Sequence, residues 1–489
     1  MLFNSYAFIF VFLPITFFIY FYLNHKRLTE ASKGFLVFSS LFFYSWWNIV
    51  YLPIILSSML FNYVIGNALN KERDSDKFSK KSLLTFGIVS NIALLGYFKY
   101  TDFLIDNINL ISDANIPTLD LALPLAISFF TFQQISYLVD SYKQETKEYD
   151  FLNYSLFVTF FPQLIAGPIV HHKEMMPQFA NKRNMIKSPK HIAMGLFIFS
   201  IGLFKKVVIA DTFSVWATAG FDTTTTLSLF EAWTTSLSYT FQLYFDFSGY
   251  TDMAIGIALL FNIKLPINFN SPYKATDIQD FWRRWHITLS RFLKDYIYIP
   301  LGGNRKGEFR TYTNLMSTFI IGGIWHGAGW TFVFWGFLHG IALVIHRIWN
   351  GLGFKMWTWL AWLITFNFIN IAWVFFRAKN WDSAINVLSS MIGLNGIFIE
   401  NVKLLDLIRL NPNALESIPL LKGIVRIDLA IFIMIAILAI VILFLKNSIE
   451  LLADFKSNKF TLCISLIAFL VSILFINSIQ ETEFLYFDF

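Results

Sequence analysis

Residues 315–346 read LMSTFIIGGIWHGAGWTFVFWGFLHGIALVIH, an apolar run broken near its middle by Gly322, Gly323, Gly327 and Gly329. A spanning helix needs about 20 apolar residues, and this run is awkward in length for one. Arg310 precedes it and Arg347 follows it. Short loops rich in Lys and Arg stay on the cytoplasmic side of a membrane. A run with basic residues at both ends should therefore return to the side it started from, and the glycines mark the break. His326 falls at that break. Ionisable groups at membrane depth are costly and tend to be functional.

The composition agrees with a life in lipid. Of 489 residues, 56% are apolar, 19% are aromatic and only 14% are charged, where a soluble globular chain carries about 25% charged residues. A soluble multidomain enzyme and a disordered chain are both excluded. The net charge is +6, but the basic residues are scattered through short loops, so no nucleic-acid patch forms and nucleic acid is not an expected partner. The single cysteine, Cys463, cannot form an internal disulfide or a metal cluster. It reads as a packed core residue, and no metal is expected.

Reading sides from charge, the basic loops 24–33, 67–82, 171–190 and the stretch 264–310 are cytoplasmic. Loop 101–120, with Asp102, Asp106, Asp113 and Asp120, loop 211–232 and the acidic tail face outward. Clear spans are 2–23, 83–100, 121–139, 191–210, 357–375, 427–445 and 460–478, with 233–263 as one tilted span. The first lacks the cleavage features of a signal peptide and reads as a permanent span. The run 34–66 lies between two basic loops, so it crosses twice or not at all, and Trp46, Trp47, Asn48 and Pro53 suit a turn. The run 151–170, with Pro162, Gly167 and Pro168, reads as a re-entrant or surface-lying segment, which lipid tolerates only where protein covers it. The expected domain organisation is one integral-membrane domain over 1–489. Within it, 264–310 is a cytoplasmic re-entrant or amphipathic segment and 378–426 an outer-side excursion.

Of the eight histidines, His25, His171, His172 and His191 lie in or beside basic loops and read as solvated. His339 and His346 read as satisfying buried polar needs or sitting near the membrane surface. His326 differs, since a neutral imidazole in a desolvated setting suits a general base. His286 lies in FWRRWHITLS (281–290). There, arginines beside tryptophans can hold phosphate and stack on a base; the bland alternative is an interfacial aromatic belt. Gln133, Gln134, Gln163, Gln242, Asp246 and Asp252 interrupt apolar runs and read as interhelical hydrogen-bonding groups.

Four motifs, LYFDFSGYTDMAIG (243–256), FWRRWHITLSRFLKDYIYIPLGGNR (281–305), GGIWHGAGWTFVFWG (322–336) and LPLAISFFTFQQISYLVD (123–140), together with FPQLIAGP (161–168), resemble the membrane-bound O-acyltransferase family. More narrowly they are similar to its bacterial branch of alginate and peptidoglycan O-acetyltransferases. The resemblance runs from Phe3-Asn4-Ser5 to the last residue. It implies an all-α polytopic membrane protein, a ring of about 11–12 transmembrane helices around a thin waist with a central tunnel. It also implies His326 as the catalytic histidine and His286 as the second polar position.

The implied reaction is acetyl transfer from cytoplasmic acetyl-CoA, used as a donor substrate with no permanently bound cofactor, to an extracytoplasmic polysaccharide. Arg283, Arg284, Arg291 and Trp285 are the candidates for donor binding. An outer-side partner of the SGNH, serine-hydrolase-like type is implied, and the setting is the bacterial cytoplasmic (inner) membrane. The C-terminal FLYFDF (484–489) resembles the F-x-Y-x-x-F ending of small acyl-relay peptides in the D-alanine branch. That implies Tyr486 as a relay, against an interfacial anchor as the ordinary alternative. The rivals are D-alanyl transfer on the same fold, a small-solute or lipid transporter, and a scaffold for an outer-side complex.

Overall fold

The computed structural model describes residues 1–70, 77–146, 150–165, 167–223, 226–396, 427–476 and 485. Among these residues every regular element is a helix, as expected where backbone groups must be satisfied without water. Seven helices among the described residues are long and apolar enough to cross a membrane: Ala7–His25, Ile49–Asn70, Lys80–Ser112, Pro189–Asp222, Trp330–Gly351, Thr358–Arg377 and Lys459–Ile476. The described residues group into two compact units, one drawn from 1–199 and 253–266, the other from 200–252 and 267–485.

In the first unit, α1 (Leu13–His25) is followed by α2 (Thr29–Ser45) and α3 (Leu52–Asn70). The 34–66 run is therefore two helices, joined by a turn at the expected residues. The Asn48 side chain accepts the N–H of Val50 and caps the short turn that starts α3. Helix α4 (Lys77–Ser112) has 36 residues, about 54 Å at the usual rise, well beyond a bilayer's apolar thickness of about 30 Å. The first part of the expected 101–120 loop is thus helical. No proline interrupts it, and the chain turns only where Asp113 adopts a left-handed backbone conformation, φ 50°.

Helix α5 (Ile127–Tyr142) is buried along almost its whole length. Gln133 donates to the Phe157 carbonyl at 2.9 Å, and Gln134 accepts from the Tyr154 hydroxyl at 2.6 Å. These are the interhelical bonds expected of them. The 151–170 run is α6 (Phe151–Thr159) and α7 (Phe161–Leu164), broken at Phe160 just before Pro162. Residues 154–165 are buried, so protein covers this segment as lipid requires. Helix α8 (His172–Ala180) corrects one expectation. His171 and His172 are buried, not solvated: His171 Nδ1 is 3.7 Å from Asp140, and the His172 ring packs on Tyr137 and Phe157. A basic loop in sequence says nothing about a helix that folds back onto its neighbours.

Helix α9 (Pro189–Phe204) runs through a π-helical turn at Lys205–Ala210 into α10 (Asp211–Thr218). Part of the expected outer loop 211–232 is therefore helix. Helix α11 (Leu229–Leu260) is one unbroken element, as expected for 233–263.

In the second unit, α12 (Ile278–Arg284) and α13 (Ile287–Leu293) precede a hairpin of α14 (Glu308–His326) and α15 (Trp330–Gly351). Arg347 grips Glu308 through Nε and Nη2 at 2.7 and 2.8 Å, tying the two far ends together. The 315–346 run does return to where it began. The glycines explain how. A Cβ on Gly323 would strike the Phe332 carbonyl, and one on Gly336 would strike the Phe319 carbonyl. The two backbones cross at these residues, as small residues allow in membranes. Gly336→Val is expected to force the hairpin apart, since the obstacle is backbone and cannot swing away. Size-exclusion profiles in detergent should show loss of the monodisperse species, whereas Gly351→Ala, with open space around its Cα, should keep it.

Helices α16 (Thr358–Arg377) and α17 (Trp381–Met391) follow, so the start of the 378–426 excursion is helical; residues 397–426 lie outside the described residues. The chain continues with α18 (Ile427–Phe444), α19 (Ser448–Ala453) and α20 (Lys459–Ile476). Cys463 on α20 is exposed, contrary to the core reading. That helix buries only Ser472, Phe475 and Ile476, so most of its surface points outward.

Candidate active site

The break at Gly327-Ala328-Gly329 makes His326 the last residue of α14. Its side chain is buried, 2% exposed. Its ring sits against Trp325 at 4.9 Å, Trp335 at 5.1 Å and Phe376 at 5.1 Å between centroids. These three rings come from α14, α15 and α16, and none of the three is charged. Such a wall excludes water while leaving the imidazole able to take or give a proton.

His286 lies between α12 and α13, fully buried. This differs from the interfacial belt, because Trp282 and Trp285 beside it are buried too. The residue has φ 42° and ψ 54°, a left-handed conformation uncommon for residues other than glycine, although histidine is among the side chains that adopt it most readily. Asn268 holds it there. Its backbone carbonyl accepts the N–H of Ile287 at 3.0 Å, and its Oδ1 accepts from the Thr288 N–H at 3.2 Å and the Thr288 hydroxyl at 2.7 Å. The same Oδ1 faces His286 Nδ1 at 3.3 Å. An oxygen that accepts from two donors makes Nδ1 the protonated nitrogen, which leaves Nε2 as the basic one. Strained backbone clusters where the surrounding structure over-determines it, often at functional sites.

Trp325 joins the two histidines. Its ring centroid is 4.9 Å from His326 and 6.4 Å from His286. On the far side of His286, Phe247 of α11 meets the imidazole edge-on at 4.7 Å. The structure thus brings together the two histidines that the sequence singled out, one ring apart. His339 plays the structural part expected of it, accepting from Trp282 Nε1 at 3.2 Å.

The proposed donor-binding residues separate. Arg283 is exposed. Arg284 is engaged by Asp280 at 2.9 Å and by the Asn270 carbonyl, so much of its charge is already answered. Arg291 is half-buried on α13. Trp285 corrects the reading of it as a stacking platform: it is enclosed by Phe281, Phe269 and Trp373 rings and is 1% exposed. A tryptophan with its faces already packed cannot stack on an incoming base. Tyr486 lies outside the described residues. Among the described residues no group of His, Cys, Asp and Glu is placed to hold a metal ion.

Sequence reasoning missed two features. Asn268 gave no signal, as a lone asparagine in a loop. The buried pairs of Lys205 with Asp252, at 2.7 Å, and of Lys206 with Asp211 and Asp246, at 2.7 and 2.8 Å, did give one. Two adjacent lysines at the end of an otherwise apolar span were there to be read.

Residues 141–381 match the membrane-bound O-acyltransferase family. The chain is 51% identical to a peptidoglycan O-acetyltransferase of Helicobacter pylori, over 100% of this chain and 98% of that protein. It is 39% identical to a probable alginate O-acetylase of Pseudomonas aeruginosa, over 80% of this chain and 75% of that one. A teichoic acid D-alanyltransferase of Bacillus subtilis is 27% identical over 52% of this chain and 69% of its own length. Two buried histidines near one tryptophan, on a multi-pass helical frame, and a full-length likeness to a peptidoglycan O-acetyltransferase lead to one conclusion: the chain belongs to the membrane-bound O-acyltransferase family and is a membrane-embedded acyltransferase.

Proposed function

We propose that the chain transfers acetyl from cytoplasmic acetyl-CoA, through the bacterial cytoplasmic membrane, for O-acetylation of peptidoglycan. The observation that carries the reading is the pair of buried histidines whose rings both lie near Trp325, in a chain whose likeness to a peptidoglycan O-acetyltransferase covers its full length. The likeness to the D-alanyltransferase covers about half of the chain, which favours acetyl as the cargo.

In this reading His326 is the general base. It takes the proton of an acceptor hydroxyl as that oxygen attacks the thioester carbonyl. The new C–O bond forms, the C–S bond breaks, and the CoA thiolate leaves and recovers the proton. The first acceptor is the phenol of Tyr486, whose ordinary pKa of about 10 makes it easier to deprotonate than a sugar alcohol. The phenyl ester then passes acetyl to an outer-side SGNH-type partner, and from there to the glycan. His286, held by Asn268 through Nδ1, orients the donor by offering Nε2 as a hydrogen-bond acceptor.

The test is incubation of the purified full-length protein in proteoliposomes with acetyl-CoA, followed by mass spectrometry of the C-terminal peptide. An acetyl group on Tyr486 that disappears in His326→Ala is the expected result. Full glycan acetylation by Tyr486→Phe would remove the relay. No transfer from acetyl-CoA, with transfer from a D-alanyl carrier protein, would remove the acetyl reading.

Donor binding gives a further expectation. Arg283 and Arg291 are the cations offered to the CoA phosphates, through charge-assisted hydrogen bonds. Replacing both by Ala should raise KM for acetyl-CoA about tenfold, with kcat little changed, the signature of lost uniform binding. An unchanged KM would place donor entry elsewhere.

A further inference from the structure

The second unit buries five ionisable side chains in one cluster. Lys205 Nζ lies 2.7 Å from Asp252 Oδ2 and also donates to the hydroxyls of Ser448, at 2.9 Å, and Ser248, at 3.5 Å. Lys206 Nζ lies 2.7 Å from Asp211 Oδ1 and 2.8 Å from Asp246 Oδ1. None of the five is more than 9% exposed. The two lysines open the π-helical turn Lys205–Ala210, a departure from α-helix frequent at functional sites.

A network that only tied helices together would do best when neutral, because an uncompensated buried charge is strongly destabilising. These five residues are three aspartates and two lysines. Asp246 shows where the extra acceptor goes. Its Oδ2 accepts the backbone N–H of Leu485 at 3.0 Å, from a segment 239 residues away in sequence. A carboxylate accepting from a backbone N–H makes one of the stronger hydrogen bonds in proteins.

We propose that Asp246 is a positioning residue that clasps Leu485, one oxygen held by Lys206 and the other receiving the Leu485 backbone N–H. Leu485 directly precedes Tyr486 in sequence. Asp246 directly precedes Phe247, whose ring meets His286. The clasp therefore ties Leu485 to the helix that walls the histidine site. The consequence for acetyl transfer rests on the relay assigned to Tyr486; the clasp itself does not.

Hydrogen–deuterium exchange of the full-length protein in detergent, resolved to single amides, reads the clasp directly. The Leu485 amide is expected to exchange at least about tenfold more slowly in the wild type than in Asp246→Ala, as a hydrogen bond to a charged group implies. An unprotected Leu485 amide in the wild-type protein overturns the clasp without recourse to any variant. So does equal protection in a folded Asp246→Ala protein. The second arm removes the donor and leaves the network whole: Leu485→Pro has no N–H to give. It should lower kcat for acetyl transfer by a factor similar to Asp246→Ala, with KM for acetyl-CoA unchanged. The double variant should be no worse than either single one, because both break the same contact. Effects that multiply would show that Asp246 acts by another route and overturn the positioning role. Protection lost in Asp246→Ala together with full turnover by Leu485→Pro would leave the contact standing and overturn its positioning role.

Discussion

His326→Ala is expected to insert and fold yet lose acetyl transfer by about a thousandfold or more, within the range for removal of a general base. Two effects have to be kept apart. The side chain fills a pocket between Trp325, Trp335 and Phe376, so truncation also leaves a cavity. Large-to-small changes in a packed interior cost about 2–5 kcal/mol, which would lower the melting temperature whatever the chemistry. His326→Gln separates them. It keeps most of the volume and a hydrogen-bonding end but has no basic nitrogen. The expectation is a melting temperature close to wild type with activity as low as in the Ala variant. If His326→Gln retains more than about a tenth of wild-type kcat, a loss smaller than the usual contribution of a general base, then His326 is not the base. A transporter or scaffold with this frame would need no base at all and would be insensitive to the change.

The parts of this architecture legible in sequence were those written in local signals. The return of the 315–346 run followed from Arg310, Arg347 and four glycines, and the structure closes it with the Arg347–Glu308 bond. The turn near Asn48 followed from a cluster of turn residues between basic loops, and the covered break at Phe160 from Pro162. His326 was legible because a histidine in the middle of an apolar run has few ordinary explanations. What failed were inferences from surroundings in sequence to surroundings in space. His171 and His172 sit beside a basic loop and yet are packed by α5 and α6. Trp285 sits beside arginines and yet is sealed by other rings. Asp246 reads in sequence as an interhelical hydrogen-bonding group, but Lys206 and Leu485 lie 40 residues before it and 239 after it. No periodicity records such pairings. Loop lengths failed for a related reason. Charge marks where a chain leaves the apolar layer, whereas α4 and α9–α10 carry on as helix beyond it, since nothing in their sequence breaks the hydrogen-bond ladder.

The histidine that sequence alone left ambiguous is the one whose support can be tested most sharply. Asn268→Ala is expected to cut kcat about a hundredfold while leaving both histidines in the chain. The reason is the number of groups that depend on one oxygen. Asn268 Oδ1 serves the Thr288 N–H, the Thr288 hydroxyl and His286 Nδ1, and each buried donor left unanswered costs about 1–3 kcal/mol. The loop can reduce that cost by giving up the left-handed backbone at His286, and the imidazole then swings away from Trp325. The backbone bond from Ile287 N–H to the Asn268 carbonyl survives the substitution, so the segment should stay folded. Asn268→Asp keeps the acceptor oxygen and should recover most of the thermal stability. Its carboxylate would also favour a protonated His286, so the rate should be regained only at a pH high enough to return the ring to neutral. A purely structural role for Asn268 would restore rate and stability together in the Asp variant, at every pH. Wild-type kcat in Asn268→Ala would mean that the orientation of His286 does not matter to the chemistry, and His286 would then be packing and no more.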